Sequence, residues 1–138
     1  MSTHNQPDFT NLRAWIRALR SGPYVQCIDT LCMEGLWGDI EHCANGVLCD
    51  LYQQANPDKC QWQLMSPTTG IYQLAIDDNL AMCYTVSVPR LIQAWTGAQT
   101  ESLFAQVAAT NDAGKSFRYI AHMLEDWINT EGATQHVR

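Results

Sequence analysis

Between Ile40 and Tyr52 the apolar residues fall at Ile40, Cys43, Ala44, Val47, Leu48, Leu51 and Tyr52. That is the recurrence of one face of an α-helix, and a stripe this regular has to lie against a core. The chain is therefore expected to be organised around a helix that starts from an Asp39 N-cap and stops at Asn56-Pro57-Asp58.

Helical patterning returns at both ends. Leu12, Trp15, Ile16 and Leu19 form one face of a leading helix, capped by Asp8 or Thr10 and stopped by Ser21-Gly22-Pro23. Pro89 opens a short helix over 88–95, with Gly97 just past its end. Thr100 caps a helix burying Leu103, Phe104, Val107 and Ala108, and Asn111-Asp112-Ala113-Gly114 reads as a turn. Ser116 caps a final helix with Phe117, Ile120, Ala121, Leu124, Trp127 and Ile128 on one face. Strand-like runs occupy 24–28, 31–33, 61–65, 71–76 and 82–86, the last three as an antiparallel meander with turns at Ser66-Pro67 and Asp77-Asp78-Asn79. The segment 35–38 is a turn carrying Leu36 and Trp37. The expected class is α+β: one mostly helical domain over 1–138 with a small antiparallel sheet, and loose tails at 1–8 and 132–138.

Charge narrows the function. Fourteen acidic and eight basic residues leave a net −6, a sign that repels phosphate backbones and argues against direct nucleic-acid binding. Arg13, Arg17 and Arg20 form one stripe of the leading helix, and a solvated face is their simplest reading. No apolar run approaches the roughly 18 residues of a membrane span. The first twenty residues lack the apolar core of a signal peptide, so a cytoplasmic protein without disulfides is expected.

Six cysteines, Cys27, Cys32, Cys43, Cys49, Cys60 and Cys83, lack the C-x2-C knuckle that structural zinc prefers. They read as small buried hydrophobes, so neither a metal nor another cofactor is expected. A thiol enzyme built on Cys43 or Cys49 with His122 is the weaker reading; His42 is adjacent to Cys43 in sequence and poorly directed as its base. Gly114-Lys115-Ser116 echoes a phosphate-binding loop, but Ala109 stands where that motif needs a glycine. The same region resembles the first helix of a helix-turn-helix, yet too few residues follow for a recognition helix. Asp77-Asp78 is read as a turn, not an acid–base pair. Among five tryptophans, Trp15, Trp95 and Trp127 fall on apolar helix faces. Trp37 and Trp62 are the candidates for exposed interface anchors.

Four segments together carry a family resemblance: Leu19-Arg20-Ser21-Gly22; Cys43-Ala44-Asn45-Gly46-Val47-Leu48-Cys49-Asp50-Leu51-Tyr52; a Pro-headed helix from Pro89 to Gly97; and Asn111 to Phe117 leading into Ile120-Ala121. In order and spacing the chain resembles a family of small uncharacterised proteins of tailed phages and bacterial mobile elements. It departs from that pattern at Ala44 and Asn45. The resemblance implies a protein acting in the cytoplasm of a bacterial host.

Context and composition together lead to an accessory protein that binds a host protein through Trp37 and Trp62. The target could be a defence system such as a CRISPR-Cas effector, with the acidic chain blocking a nucleic-acid-binding surface. The alternative is a sponge for a nucleotide signal, with Arg20, Arg90, Lys115 and Arg118 supplying charge to a pocket. The third is the small cysteine-dependent hydrolase. A partner-binding face and a homo-oligomer interface look alike in sequence, since both are apolar surface.

Overall fold

The computed structural model describes residues 8–76, 83–98 and 100–132. The chain forms α1 (Thr10–Ser21), β1 (Val25–Gln26), β2 (Cys32–Glu34), β3 (Ile40–His42), α2 (Ala44–Ala55), β4 (Cys60–Ser66), β5 (Ile71–Ile76), β6 (Cys83–Tyr84), α3 (Arg90–Thr96), α4 (Glu101–Asp112) and α5 (Phe117–Trp127), ending in one π turn (Ile128–Gly132). Residues 1–7 and 133–138 of the expected tails, and Asp77-Asp78-Asn79, lie outside the described residues. The fold is α+β, with a helical layer on one face of a sheet.

The sheet order is β1-β3-β2-β5-β4, with β6 also paired to β5. Every pairing is antiparallel except β1 with β3, which is parallel, so the sheet is mixed. The register places Cys32, His42, Tyr72, Leu74, Cys60 and Trp62 on the face that meets the helices. Leu74 and Cys60 are buried there.

The stripe that begins at Ile40 divides into two elements, which corrects the expected Asp39-capped helix. Ile40, Glu41 and His42 form the central strand β3, bonded to β1 on one side and β2 on the other. Two ladders at once outweigh a local helical preference, and a β-branched residue such as Ile40 suits the strand. The cap passes to Cys43, whose backbone is extended and whose sulfur accepts from the Gly46 N–H at 3.3 Å. Gly46 has its own reason: a Cβ there would overlap the Leu31 carbonyl, so the helix start and the β1–β2 loop meet only through a glycine.

α2 is the hub, touching α1, α3, α4 and β3. Val47, Leu48 and Cys49 are fully buried on it. Its first turn is pinned from three sides. The Trp15 indole donates to the Ala44 carbonyl at 2.9 Å, while its ring stacks on Phe104 at 6.1 Å. Asn45 donates to the Phe104 carbonyl at 3.1 Å. The Ala44 N–H donates to Asn111 Oδ1 at 3.0 Å.

Asn111 is the second finding against expectation. It and Asp112 belong to the last turn of α4, and the turn itself begins at Ala113. Asn111 is 1% exposed. Its Oδ1 also accepts from the Gln26 amide at 2.9 Å, and its Nδ2 donates to the Cys27 carbonyl at 2.9 Å. Asp112 accepts from the Asp29 N–H at 2.9 Å, at a residue held at φ 70°. The end of α4 thus ties the β1–β2 loop to the start of α2. Three other caps match the sequence: Thr100 accepts from the Ser102 N–H, Ser116 from the Tyr119 N–H, and Gly97 closes α3 in the left-handed region. The expected Asp8 or Thr10 cap of α1 does not, since Phe9 stands at the N-cap with no side-chain bond and Thr10 is already helical.

Candidate functional site

The turn between β2 and β3 is drawn tight by two backbone bonds, Gly35 N–H to the Asp39 carbonyl at 2.7 Å and Gly38 N–H to the Gly35 carbonyl at 3.0 Å. Gly38 takes φ 84°, which a side chain resists. A turn this short cannot fold its middle residues back, so Leu36 and Trp37 project from it. They are 97% and 93% exposed, well beyond any other large apolar side chain among the described residues. Ile40, at the start of β3, is partly exposed beside them.

Three carboxylates border this tip. Asp39 and Glu41 flank Gly35, and Glu34 closes β2 on the other side of the turn. Partial desolvation, then the neighbouring Asp39 charge and a hydrogen bond with it, raise the Glu41 pKa above its ordinary value. Among the described residues no Lys or Arg pairs with any of the three. The tip is an aromatic and an aliphatic side chain set in uncompensated negative charge.

Trp62 has a different place. Its ring is half-buried and its indole donates to Asp50 Oδ1 at 2.9 Å. Asp50 also accepts from the Tyr24 hydroxyl and the Gln54 amide, each at 2.7 Å. His42 stands edge-on to both rings, 5.1 Å from Tyr24 and 5.8 Å from Trp62. Desolvation, then Asp50, pushes the Tyr24 phenol up, while burial pushes His42 down against the opposing pull of Asp50. Trp62 and Trp37 are therefore not one patch: Trp62 is tied into the sheet–α2 interface, and Trp37 stands free. Trp15 and Trp127 are core as expected, and Trp95 is half-buried, edge-on to Tyr52 at 5.3 Å.

Of the four cations expected to converge, two share a groove and a third lies beside one of its lining residues. Arg20 and Arg118 line an open groove of about 560 Å³ with Tyr119 and His122. The Lys115 ammonium lies 5.2 Å from the Tyr119 ring centre. Arg90 is elsewhere, paired with Glu101 between α3 and α4.

Cys27, Cys32, Cys43, Cys49 and Cys60 are all buried. Burial pushes the Cys27 and Cys32 thiols up to about 12 and those of Cys43 and Cys60 to about 11, with Cys49 raised well above its ordinary value. His122 is an exposed side chain 3.6 Å from Asp126 and bonds to neither Cys43 nor Cys49. Among the described residues no three His, Cys, Asp or Glu side chains gather as a metal site. No described helix is long and apolar enough to cross a membrane.

Sequence reasoning missed the two polar hubs, Asp50 and Asn111. Both lie within the segments that carry the family resemblance, which was the only available signal for them. Neither a curated protein nor a solved structure matches the chain. A family model does match, over residues 11–128, which covers α1 through α5, and the chain belongs to that family, a domain of unknown function designated DUF8296.

Proposed function

We propose that this chain is a phage or mobile-element accessory protein that works in the host cytoplasm by binding a host protein through the β2–β3 tip. The observation that carries the reading is the exposure of Leu36 and Trp37 at 97% and 93% on a tightly bonded turn. Leaving such side chains in water forgoes about 1.5–3 kcal/mol each, which a partner recovers by covering them. Tryptophan is among the side chains enriched at interface hot spots. Glu34, Asp39 and Glu41 add the sign and spacing that suit a basic groove built to hold phosphates and stacked bases. A nucleic-acid-binding defence effector, with CRISPR-Cas complexes as one class, presents such a groove.

The test is quantitative co-purification from host lysate with the wild-type protein and a Leu36→Ser/Trp37→Ser double variant, with size-exclusion light scattering on both. Expected are one host protein held in stoichiometric amount by the wild type, its loss with the double variant, and an unchanged melting temperature. A monomeric variant from a dimeric wild type would assign the tip to self-association instead. Equal retention of the same protein by both would remove the tip from recognition. The hydrolase alternative gains no support, because Cys43 and Cys49 are buried with raised thiol pKa values.

A further inference from the structure

We propose that the groove between α1 and α5 binds a small phosphorylated ligand of the nucleotide class, at a site separate from the β2–β3 tip. The chain has eight Lys and Arg residues, and five of them lie on α1 (Arg13, Arg17 and Arg20), in the turn before α5 (Lys115) or in its first turn (Arg118). In a molecule of net charge −6 that is a strong segregation.

The helices bring two of these cations, Arg20 and Arg118, to one groove. Phe9, at the start of α1, meets Trp127 at the end of α5, and Arg20, near the end of α1, shares the groove with Arg118 and Tyr119. α1 and α5 are therefore antiparallel. Positions 13, 17 and 20 form one stripe of α1, and positions 118, 122 and 125 form one stripe of α5. Arg13 and Arg20 both act on the Glu125 carboxylate, so the two stripes border each other.

Part of the charge there is paired internally and part is not. Glu125 takes Arg20, with both guanidinium nitrogens on its two oxygens at 2.7 and 3.4 Å, and Asp126 takes His122. Arg118, Arg13 and Arg17 have no ion-pair partner among the described residues. Glu125 holds the Arg20 fork at the groove wall, and Arg118 lines the same groove with no ion pair among the described residues. Tyr119, 53% exposed with Lys115 over its ring, adds an aromatic surface to the same groove. Arginine forks hold phosphate, while bases stack on aromatic rings and guanidinium planes.

Size and field select a small ligand over a polymer. About 560 Å³ is the volume of a small-molecule site. Charges are screened over about 8–10 Å in ordinary salt, so a ligand confined to the groove feels the local cations. A long nucleic acid would extend onto the acidic remainder of the surface.

Isothermal titration calorimetry at low salt tests this with ATP, pyrophosphate, adenosine and a single-stranded oligonucleotide as probes. Saturable one-site binding of ATP is expected, with adenosine weaker by at least about tenfold and pyrophosphate in between. Arg118→Ala and Arg20→Ala should each weaken ATP by about tenfold. Glu125→Gln removes the groove's nearest carboxylate and should tighten ATP by about threefold, a gain that damage to the fold cannot imitate. The Leu36→Ser/Trp37→Ser variant should bind ATP as the wild type does, so failure of one site leaves the other standing. No saturation by ATP at millimolar concentration, equal affinity for adenosine, or indifference to both arginine substitutions would overturn the proposal. Tighter binding of the oligonucleotide than of ATP would overturn it in favour of a polymer.

Discussion

Asn111→Ala tests the polar junction beneath the fold most directly. The side chain is 1% exposed and makes three bonds, from Gln26, from the Ala44 N–H and to the Cys27 carbonyl. Gln26 is half-buried and can turn to water, so its loss counts little. The Ala44 N–H is enclosed at the start of a buried helix and loses its acceptor; the Cys27 carbonyl loses a donor. Each unsatisfied group costs about 1–3 kcal/mol, so the pair costs about 3–5 kcal/mol once the small void is added. That is a large share of the roughly 5–15 kcal/mol of an ordinary domain. It corresponds to a melting temperature lower by about 10–15 °C for a chain of this size. Urea unfolding is the assay, with a lower midpoint at unchanged slope expected. Asn111→Asp keeps the acceptor but sets a carboxylate against the Cys27 carbonyl, and should be as unstable at neutral pH. A loss under about 1 kcal/mol for Asn111→Ala would refute the claim that this side chain joins the loop to α2.

Iodoacetamide at about pH 7.5 should leave Cys27, Cys32, Cys43, Cys49 and Cys60 unmodified in the folded protein and alkylate all five in denaturant, read by peptide mapping. Rapid native labelling of Cys43 or Cys49 would revive the thiol-enzyme reading. Burial holds His42 below its ordinary pKa of 6.5, so the unfolded chain takes up the proton first. Stability is then fully present above about pH 6.5 and declines as the pH falls below it. His42→Phe should flatten that decline, and an unchanged slope in the variant would place the acid sensitivity elsewhere.

Much of the helical layer was legible because a helix face is a local pattern. Leu12, Trp15, Ile16 and Leu19 occupy the buried face of α1, and Thr100, Ser116 and Gly97 cap the ends their chemistry suggests. β3 was not legible. Its three residues continue the stripe of α2 in sequence, and only pairing with β1 and β2, which is tertiary, makes them a strand. The two candidate anchors divided for the same reason. Trp37 is exposed because its turn is too short to bury it, a local property. Trp62 is engaged by Asp50, twelve positions earlier, through a contact that no spacing announces. The convergence of Arg20 and Arg118 likewise follows from the antiparallel contact of helices at opposite ends of the chain, whereas Arg90 is carried away by α3.

The segments that carry the resemblance are mostly accounted for by packing. Gly22 could not take a Cβ beside the Ala18 carbonyl, and Gly46 could not beside Leu31. Asp50 collects Tyr24, Gln54 and Trp62, Asn111 joins three segments, and Cys43 and Ser116 cap helices. Residues so constrained specify a scaffold, and a scaffold alone does not imply an activity. Leu36 and Trp37 fall outside all of these segments, on a turn whose side chains contribute little to the core. A turn with that freedom can change its contacts without unfolding the domain, which is the usual position of a recognition element on a rigid frame. Arg20 and Lys115 differ from the packed residues: they lie within the segments, yet Arg20 lines the groove and Lys115 lies over the exposed Tyr119 ring. Arg20 also serves the scaffold, since its ion pair with Glu125 joins α1 to α5. On the reading proposed above, Arg20 and Arg118 would serve a ligand site built into that frame, while the tip would choose the protein partner.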